Sequence, residues 1–429
     1  MLRQLSPAEI YHLGKKYIAN TTIDSDLILL SGNGVWLDGV LAESGQQVKL
    51  IDFCSGIGVT PLGHDGKLLM IPGNEWFNNA EVQLAEKLCA ITPGKHPKKV
   101  FFCSSGAESV EAAVKMCLAR RYHTYVELYG DEAEEHLRRK RVFCAFGGAF
   151  HGRTGFALSL NCSKKKHTEA FFLDRGDLSV GMKVKEDRAI PVRHLPFPEK
   201  GNWQSIAAFK ETLEQQPFVD ATAMFVELIQ GEGGIRVMDE DCLQLLVAEC
   251  RKHDVYLVVD EVQSGMMRTG RMFACEYYRV GDGFLEPDIM CLSKALGGGK
   301  APIGATIARG EFDFPISGEH SNTFGGNAMA SEVAFNIIEQ LQALNREDLN
   351  RRIVLLSEFA PEGLGLMRRI MFPTSEERNA VADRARTSGV LGSLVIPAGE
   401  RALRFMPPVN ISTKDLGEGI RILRRCMAK

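Results

Sequence analysis

No stretch of this sequence stays apolar for the roughly 18 residues that a membrane-spanning helix needs. The opening MLRQLSPAEIYHLGKKYIAN is amphipathic and carries acids, without the continuous apolar segment of a secretory signal. The protein is therefore expected to stay in the cytosol. None of the 11 cysteines forms a C-x-x-C pair. An odd number in so long a chain argues against a disulfide scaffold, and the spacing offers no metal site. Cys54, Cys103, Cys144 and Cys291 sit in apolar stretches and read as small buried hydrophobes. Charge of one sign is also lacking. A net charge of −3, from 51 basic and 54 acidic residues, gives no reason to expect nucleic acid or an anionic membrane as partner. Internal repeats and low-complexity tracts are missing too. GGAFHG at 147–152 follows a strand but lacks the G-x-G-x-x-G spacing that a nucleotide-binding oxidoreductase requires.

What is present is a long, ordinary globular composition. At 429 residues the chain has room for two or three domains, at about 150 residues each. From about residue 70 to 310, short apolar runs alternate with helical patterns. KKVFFCSS (98–105), KRVFCAF (140–146), TAMFVELI (222–229), VYLVVDE (255–261) and PDIMCLS (287–293) read as strands. Most are continuously apolar, as central strands covered on both faces are. SVEAAVKMCLAR and LQLLVAECRKH read as helices between them. This alternation predicts an α/β fold with a mainly parallel, doubly wound sheet, whose ligands gather at the carboxyl ends of the strands. From about 320 a helix, 328–344, precedes a mixed α/β tail that reads as a smaller domain.

Three strand ends carry residues that do not suit a plain core. CSSGAESVEAA breaks at Ser104–Ser105–Gly106 and starts a helix at once. Unpaired N–H groups there make an anion site, though on its own the stretch is also an ordinary helix cap. VYLVVDEVQSG ends on two acids, Asp260 and Glu261. Burying an unpaired carboxylate costs on the order of several kcal/mol, so either the acids emerge into water or a compensating charge lies there. In CLSKALGGGKAPIGA, Lys294 leaves an apolar strand just before a triple glycine. Such an amine must pair, snorkel or react, and a desolvated neutral amine forms a Schiff base with an aldehyde.

A phosphate cradle, an acid for a pyridinium nitrogen and an imine-forming lysine are the parts that hold pyridoxal phosphate. With DEVQSGMMRTGRMFA, AFHGRTG, IQGEGG, SKALGGG and TFGGN in this order, the chain resembles the class-III pyridoxal-phosphate aminotransferases. That group includes acetylornithine, ornithine and 4-aminobutyrate aminotransferases. The likeness runs from SGNGVWLD (31–38) to the last helix. It implies the pyridoxal-phosphate transferase fold of type I. The expected division is an N-terminal segment at 1–70, a large cofactor-binding domain at 71–318 and a small C-terminal domain at 319–429.

The resemblance implies roles residue by residue. Lys294 forms the Schiff base and then moves the substrate proton. Asp260 pairs with the ring nitrogen; Glu261 takes no cofactor role, its side chain pointing the other way along the strand. Ser105, Gly106 and Ala107 cradle the phosphate, and Thr323 reaches the phosphate of a neighbouring subunit, which implies a homodimer with shared sites. Phe150 and Val262 lie against the two ring faces, and Gln263 bonds the ring's 3′ oxygen. His151 and Glu227 complete the cofactor set. For substrate, Arg153 receives a distal carboxylate and Arg404 the α-carboxylate of 2-oxoglutarate or glutamate. Glu232 acts as a gate that neutralises Arg404 when the donor lacks an α-carboxylate, and Ile57 forms an apolar wall. No metal is implied.

The sequence departs from the group's pattern in several places. Leu228 replaces a proline after Glu227, HGSTFGGNP becomes HSNTFGGNA, and GMGRTG becomes GMMRTG. AESGQQ (42–47) reads as a small insertion near the substrate entrance, and KAPIGA carries an extra residue. The expected reaction is transfer of an amino group from an ω- or β-amino donor to 2-oxoglutarate. An amino-acid racemase, an aminomutase or a phospho-amine lyase would share Lys294 and Asp260, and a non-catalytic binding protein would keep the fold alone.

Overall fold

A computed structural model of the chain describes residues 2–21, 26–52, 60, 62, 64–66, 76–164, 167–168, 191–387, 396–398 and 401–428. In chain order its main elements are α1 (Pro7–Tyr17), β1 (Leu27–Gly34), β2 (Trp36–Leu41), β3 (Gln47–Ile51), β4 (His64–Gly66), α2 (Asn79–Ile91), β5 (Lys98–Cys103), α3 (Gly106–Tyr129) and α4 (Ala133–Arg139). There follow β6 (Val142–Phe146), α5 (Gly155–Ser159), β7 (Val192–Leu195), α6 (Trp203–Glu214), β8 (Ala221–Val226), α7 (Glu240–Lys252), β9 (Tyr256–Asp260), β10 (Ile289–Leu292) and β11 (Gly304–Arg309). The last elements are α8 (Ala328–Gln342), α9 (Arg346–Phe359), β12 (Glu362–Leu364), β13 (Met367–Met371), α10 (Ser375–Thr387), β14 (Ile396–Ala398), β15 (Ala402–Phe405) and α11 (Thr413–Met427). The chain divides into two compact units, Met1–Arg139 with Pro287–Gln340, and Lys140–Glu286 with Leu341–Lys429.

In the first unit, β3, β2, β1 and β4 form an antiparallel sheet in that order. Residues 42–46 of the expected insertion make the turn of the β2–β3 hairpin, with the Gly45 N–H donating to the Leu41 carbonyl at 2.8 Å. Ser6 and Glu9 close a capping box at the start of α1. β11 pairs antiparallel with both β5 and β10. Sequence patterning missed this strand because Gly304 follows a glycine-rich loop. Its Thr306 hydroxyl donates to the Ser109 carbonyl at 2.9 Å, and the Ser109 hydroxyl in turn donates to the Ala305 carbonyl at 2.9 Å, stitching α3 onto the strand.

In the second unit, β7, β6, β8 and β9 are all parallel. Every residue of β6 and β8 is buried, so strand runs with no polar alternation are what both-face coverage demands. Phe143, Phe146, Phe197, Phe209 and Phe225 fill this core. α7 is capped by Asp239, whose carboxylate accepts from the Cys242 N–H, and it buries Cys242, Leu243, Leu246, Val247 and Cys250 at helical spacing. The C-terminal part builds a second, antiparallel sheet in the order β12, β13, β15, β14. Among the described residues no helix is long and apolar enough to cross a membrane.

Candidate active site

β9 delivers its two acids to different environments. Asp260 is 5% exposed, and its Oδ2 lies 2.8 Å from His151 Nδ1. Its Oδ1 accepts the Val262 N–H at 2.9 Å, so the carboxylate is held from two sides. His151 follows β6, and its backbone N–H donates to Asn161 Oδ1 at 2.5 Å. The Asn161 amide also donates to the Gly152 carbonyl. Burial opposes a charge on His151, but the Asp260 hydrogen bond and the Asp260 and Glu227 charges outweigh it and hold the imidazole above its ordinary pKa. Glu261 turns away, accepting from the Ser264 hydroxyl at 2.5 Å and the Cys275 N–H at 2.8 Å. Burial raises its pKa against those bonds. The two adjacent acids are thus both buried, one against an imidazole and one against neutral donors.

A second cluster gathers around Arg404, which β15 presents at 6% exposure. Its Nη1 donates to Glu232 Oε1 at 2.9 Å and to Gln263 Oε1 at 3.3 Å. The other carboxylate oxygen of Glu232 lies 3.5 Å from Lys164 Nζ. Burial alone would raise Glu232, but the charges and hydrogen bonds of Arg404 and Lys164 hold its carboxyl below the usual range. A Cβ at position 231 would land on the carboxamide oxygen of Gln263, so that side chain would have to move away to admit any larger residue. Glu227, also buried, accepts the Phe150 N–H at 2.9 Å and the Gly231 N–H at 3.4 Å, tying the two turns together. Arg153 is exposed; its guanidinium lies 5.7 Å from the centroid of the Phe150 ring and 3.4 Å from His167 Nε2.

The remaining candidate residues belong to the first unit. Ser105 caps α3, its hydroxyl oxygen accepting the Glu108 N–H at 3.3 Å, while Glu108 Oε2 accepts the Ser104 N–H at 2.7 Å. Gly106 and Ala107 open the helix, whose first-turn N–H groups have no intrahelical acceptor. Lys294 follows β10 with φ +43°, in the left-handed region that costs a non-glycine residue on the order of 1 kcal/mol. Lys294 is exposed in the single chain. Thr323 is half-buried in a loop pinned by Asn322, whose amide donates to the Phe102 carbonyl at 2.8 Å and whose oxygen accepts the Gly325 N–H at 2.6 Å. Asn327 then accepts the Ala330 N–H at 3.0 Å and starts α8, at whose first position Ala328 stands where the related pattern has proline, while Ser321 takes the place of its glycine. Ile57 lies outside the described residues.

Three neighbours escaped the sequence reading. Lys164 sits in the polar run NCSKKKH, which offers no periodicity to mark it, and Asn161 precedes it by three residues. Asn322 stood out only as a departure from a motif.

The family described as aminotransferase class-III matches residues 32–427. The chain is 32% identical to the acetylornithine aminotransferase of Methanocaldococcus jannaschii, over 94% of each chain. Among solved structures, it is similar to a transaminase from the marine bacterium Virgibacillus, with a TM-score of 0.68 at 19% identity over 98% of each chain. An amine transaminase from an uncultivated Pseudomonas species, solved with pyridoxal phosphate bound, matches with a TM-score of 0.65 at 21% identity over 94% of each chain. These likenesses place the whole chain in the expected α/β fold of type I pyridoxal-phosphate transferases.

Proposed function

The chain belongs to the class-III aminotransferases, enzymes that depend on pyridoxal phosphate, and from that premise we propose that it moves an amino group from an ω- or β-amino donor to 2-oxoglutarate, giving glutamate. The observation that supports this reading best is the Arg404–Glu232 pair at 2.9 Å. A guanidinium is suited to an α-carboxylate, and a movable acid beside it lets one pocket serve two substrates. With Glu232 in place, Arg404 is neutralised and a donor without an α-carboxylate can enter. With Glu232 displaced, Arg404 receives 2-oxoglutarate or glutamate. The acylated or free ω-amines named by the relatives, acetylornithine first, are the donor class to try.

The residues fit the cofactor. Asp260 is a buried carboxylate backed by His151, which suits a protonated ring nitrogen. The open N-terminus of α3, at Ser105, Gly106 and Ala107, suits a phosphate dianion. Phe150 and Val262 would bracket the ring, Gln263 would donate to its 3′ oxygen, and Glu227 would hold the Phe150 turn. Lys294 would carry the anchoring amine and shuttle the substrate proton. Bound pyridoxal phosphate supplies an aldehyde and an electron-accepting ring. Arg153 and Ile57 would line the distal part of the substrate. A cytosolic homodimer with Thr323 crossing to the neighbouring subunit's phosphate, and the division at 70/71 and 318/319, belong to the same proposal.

The test is a screen of ω- and β-amino donors against 2-oxoglutarate with the cofactor-loaded protein, read as glutamate formed. Borohydride reduction should leave the pyridoxyl group on Lys294, and Lys294→Ala should abolish it. Arg404→Ala should raise the 2-oxoglutarate KM about 30-fold, the size of a lost charged hydrogen bond, with the donor's KM nearly unchanged. Racemised product or released phosphate without glutamate would point to the racemase or lyase chemistry instead, and equal effects on both substrates would remove the gate.

A further inference from the structure

A gate made of one acid and one arginine has an unsolved half. When a carboxylate takes Arg404, the displaced Glu232 has to go somewhere, and its side chain is only 23% exposed. Leaving a carboxylate without a counter-charge at such a site is costly. The structure offers an alternative partner. Glu232 uses Oε1 for Arg404 at 2.9 Å, whereas Oε2 faces Lys164 Nζ at 3.5 Å. The lysine side chain is 27% exposed, with a flexible stem that can follow a moving carboxylate. Two cations therefore share one acid through different oxygens.

We propose that Lys164 is a specificity-determining residue, the cation that receives the Glu232 carboxylate when an α-carboxylate substrate occupies Arg404. This rests on the reading of Arg404 and Glu232 as the substrate gate. Rotation of the Glu232 side chain breaks the short contact to Arg404 while the long one to Lys164 closes, so the acid exchanges partners without ever standing unpaired. Gln263, 3.3 Å from Arg404 Nη1, keeps one hydrogen bond on the guanidinium throughout. Charge is conserved across the exchange: the incoming carboxylate replaces Glu232 at Arg404, and Glu232 neutralises Lys164. Substrates that leave the gate shut make no demand on Lys164. Its effect is confined to the half-reaction with glutamate or 2-oxoglutarate.

The experiment compares the two half-reactions of the cofactor-loaded enzyme, followed by the cofactor's absorbance in single turnovers. Glutamate is one probe, and the best donor from the screen that lacks an α-carboxylate is the other. Lys164→Met should weaken glutamate saturation about five- to tenfold and leave the other donor within twofold, and Lys164→Arg should restore it. In a Glu232→Gln background, where no charge has to be received, Lys164→Met should have no effect on glutamate. An equal loss on both donors, no loss on glutamate, or a loss that persists in the Glu232→Gln background would each overturn the proposal. Arg404→Ala separates the levels: if it leaves glutamate saturation intact, the gate itself is wrong. If it weakens glutamate saturation while Lys164→Met does not, only the role of Lys164 falls.

Discussion

His151 Nδ1 lies 2.8 Å from Asp260 Oδ2, and both side chains are 5% exposed or less. These residues stand 109 apart in sequence, and the strand end that carries the acid would be unstable without the ring. The folded imidazole is held above its ordinary pKa of about 6.5. A group with a raised folded pKa contributes its full stability below the unfolded value and loses it as pH rises through the folded one. His151→Gln should therefore destabilise the protein by roughly 3 kcal/mol at pH 6, and by clearly less at pH 9. Thermal melts of both proteins across that range test it. A pH-independent difference would mean the ring acts by packing alone.

How much of this was legible in the sequence follows from what each signal depends on. The parallel strands of the second unit announce themselves, since burial on both faces leaves continuous apolar runs such as Ala223–Val226 and Val255–Val259. β11 did not, because GATIAR alternates weakly and trails a glycine loop that dominates any local reading. Motifs could name Asp260 and Arg404, but not how each is held. The His151 and Asn161 contacts and the Lys164 approach to Glu232 depend on segments brought together by folding, and no periodicity encodes them. The exposure of Lys294 was likewise beyond reach, because a strand-end pattern does not say on which side of the last buried turn an amine emerges.

Glu81 shows a polar group the fold tolerates at a cost. It is fully buried, its Oε1 has no hydrogen-bond partner among the described residues, and a Cβ on Gly326 would land on that oxygen. Burial pushes its pKa well above 4.5, against the Asn78 backbone hydrogen bond. For an acid with a raised folded pKa, the unfolded chain ionises first, so stability falls as pH climbs from about 4.5 to the folded value. Glu81→Gln should remove that loss, raising stability by on the order of 1 kcal/mol at pH 8 with no gain at pH 4. Denaturant titrations at the two pH values check the sign.

Met267 occupies a position with φ +66°, where the related pattern GMGRTG has glycine. Left-handed backbone costs a residue with a Cβ about 1 kcal/mol. The side chain is fully buried, and Arg346 Nη1 lies 3.6 Å from its sulfur. Removing a buried methionine side chain costs roughly 2–5 kcal/mol, more than the strain. Met267→Gly should thus lower stability by a net of about 1–4 kcal/mol, although it restores the residue the backbone prefers. A gain in melting temperature would show that strain outweighs packing.

Gly231 is fixed by closeness rather than by conformation. A methyl group there would displace the Gln263 carboxamide, and with it the 3.3 Å contact to Arg404. Glu227, which accepts the Gly231 N–H, would be pulled as well, so the Phe150 turn should shift. Gly231→Ala is expected to cut kcat/KM for the glutamate half-reaction at least tenfold while the melting temperature falls by only a few degrees. If the damage runs through Gln263, the double variant Gly231→Ala, Gln263→Ala should be no worse than Gln263→Ala alone, because the collision has nothing left to strike. Additive losses would mean that the alanine blocks the pocket directly. In that case the glycine is there to admit a ligand, and the seating of Gln263 is a by-product.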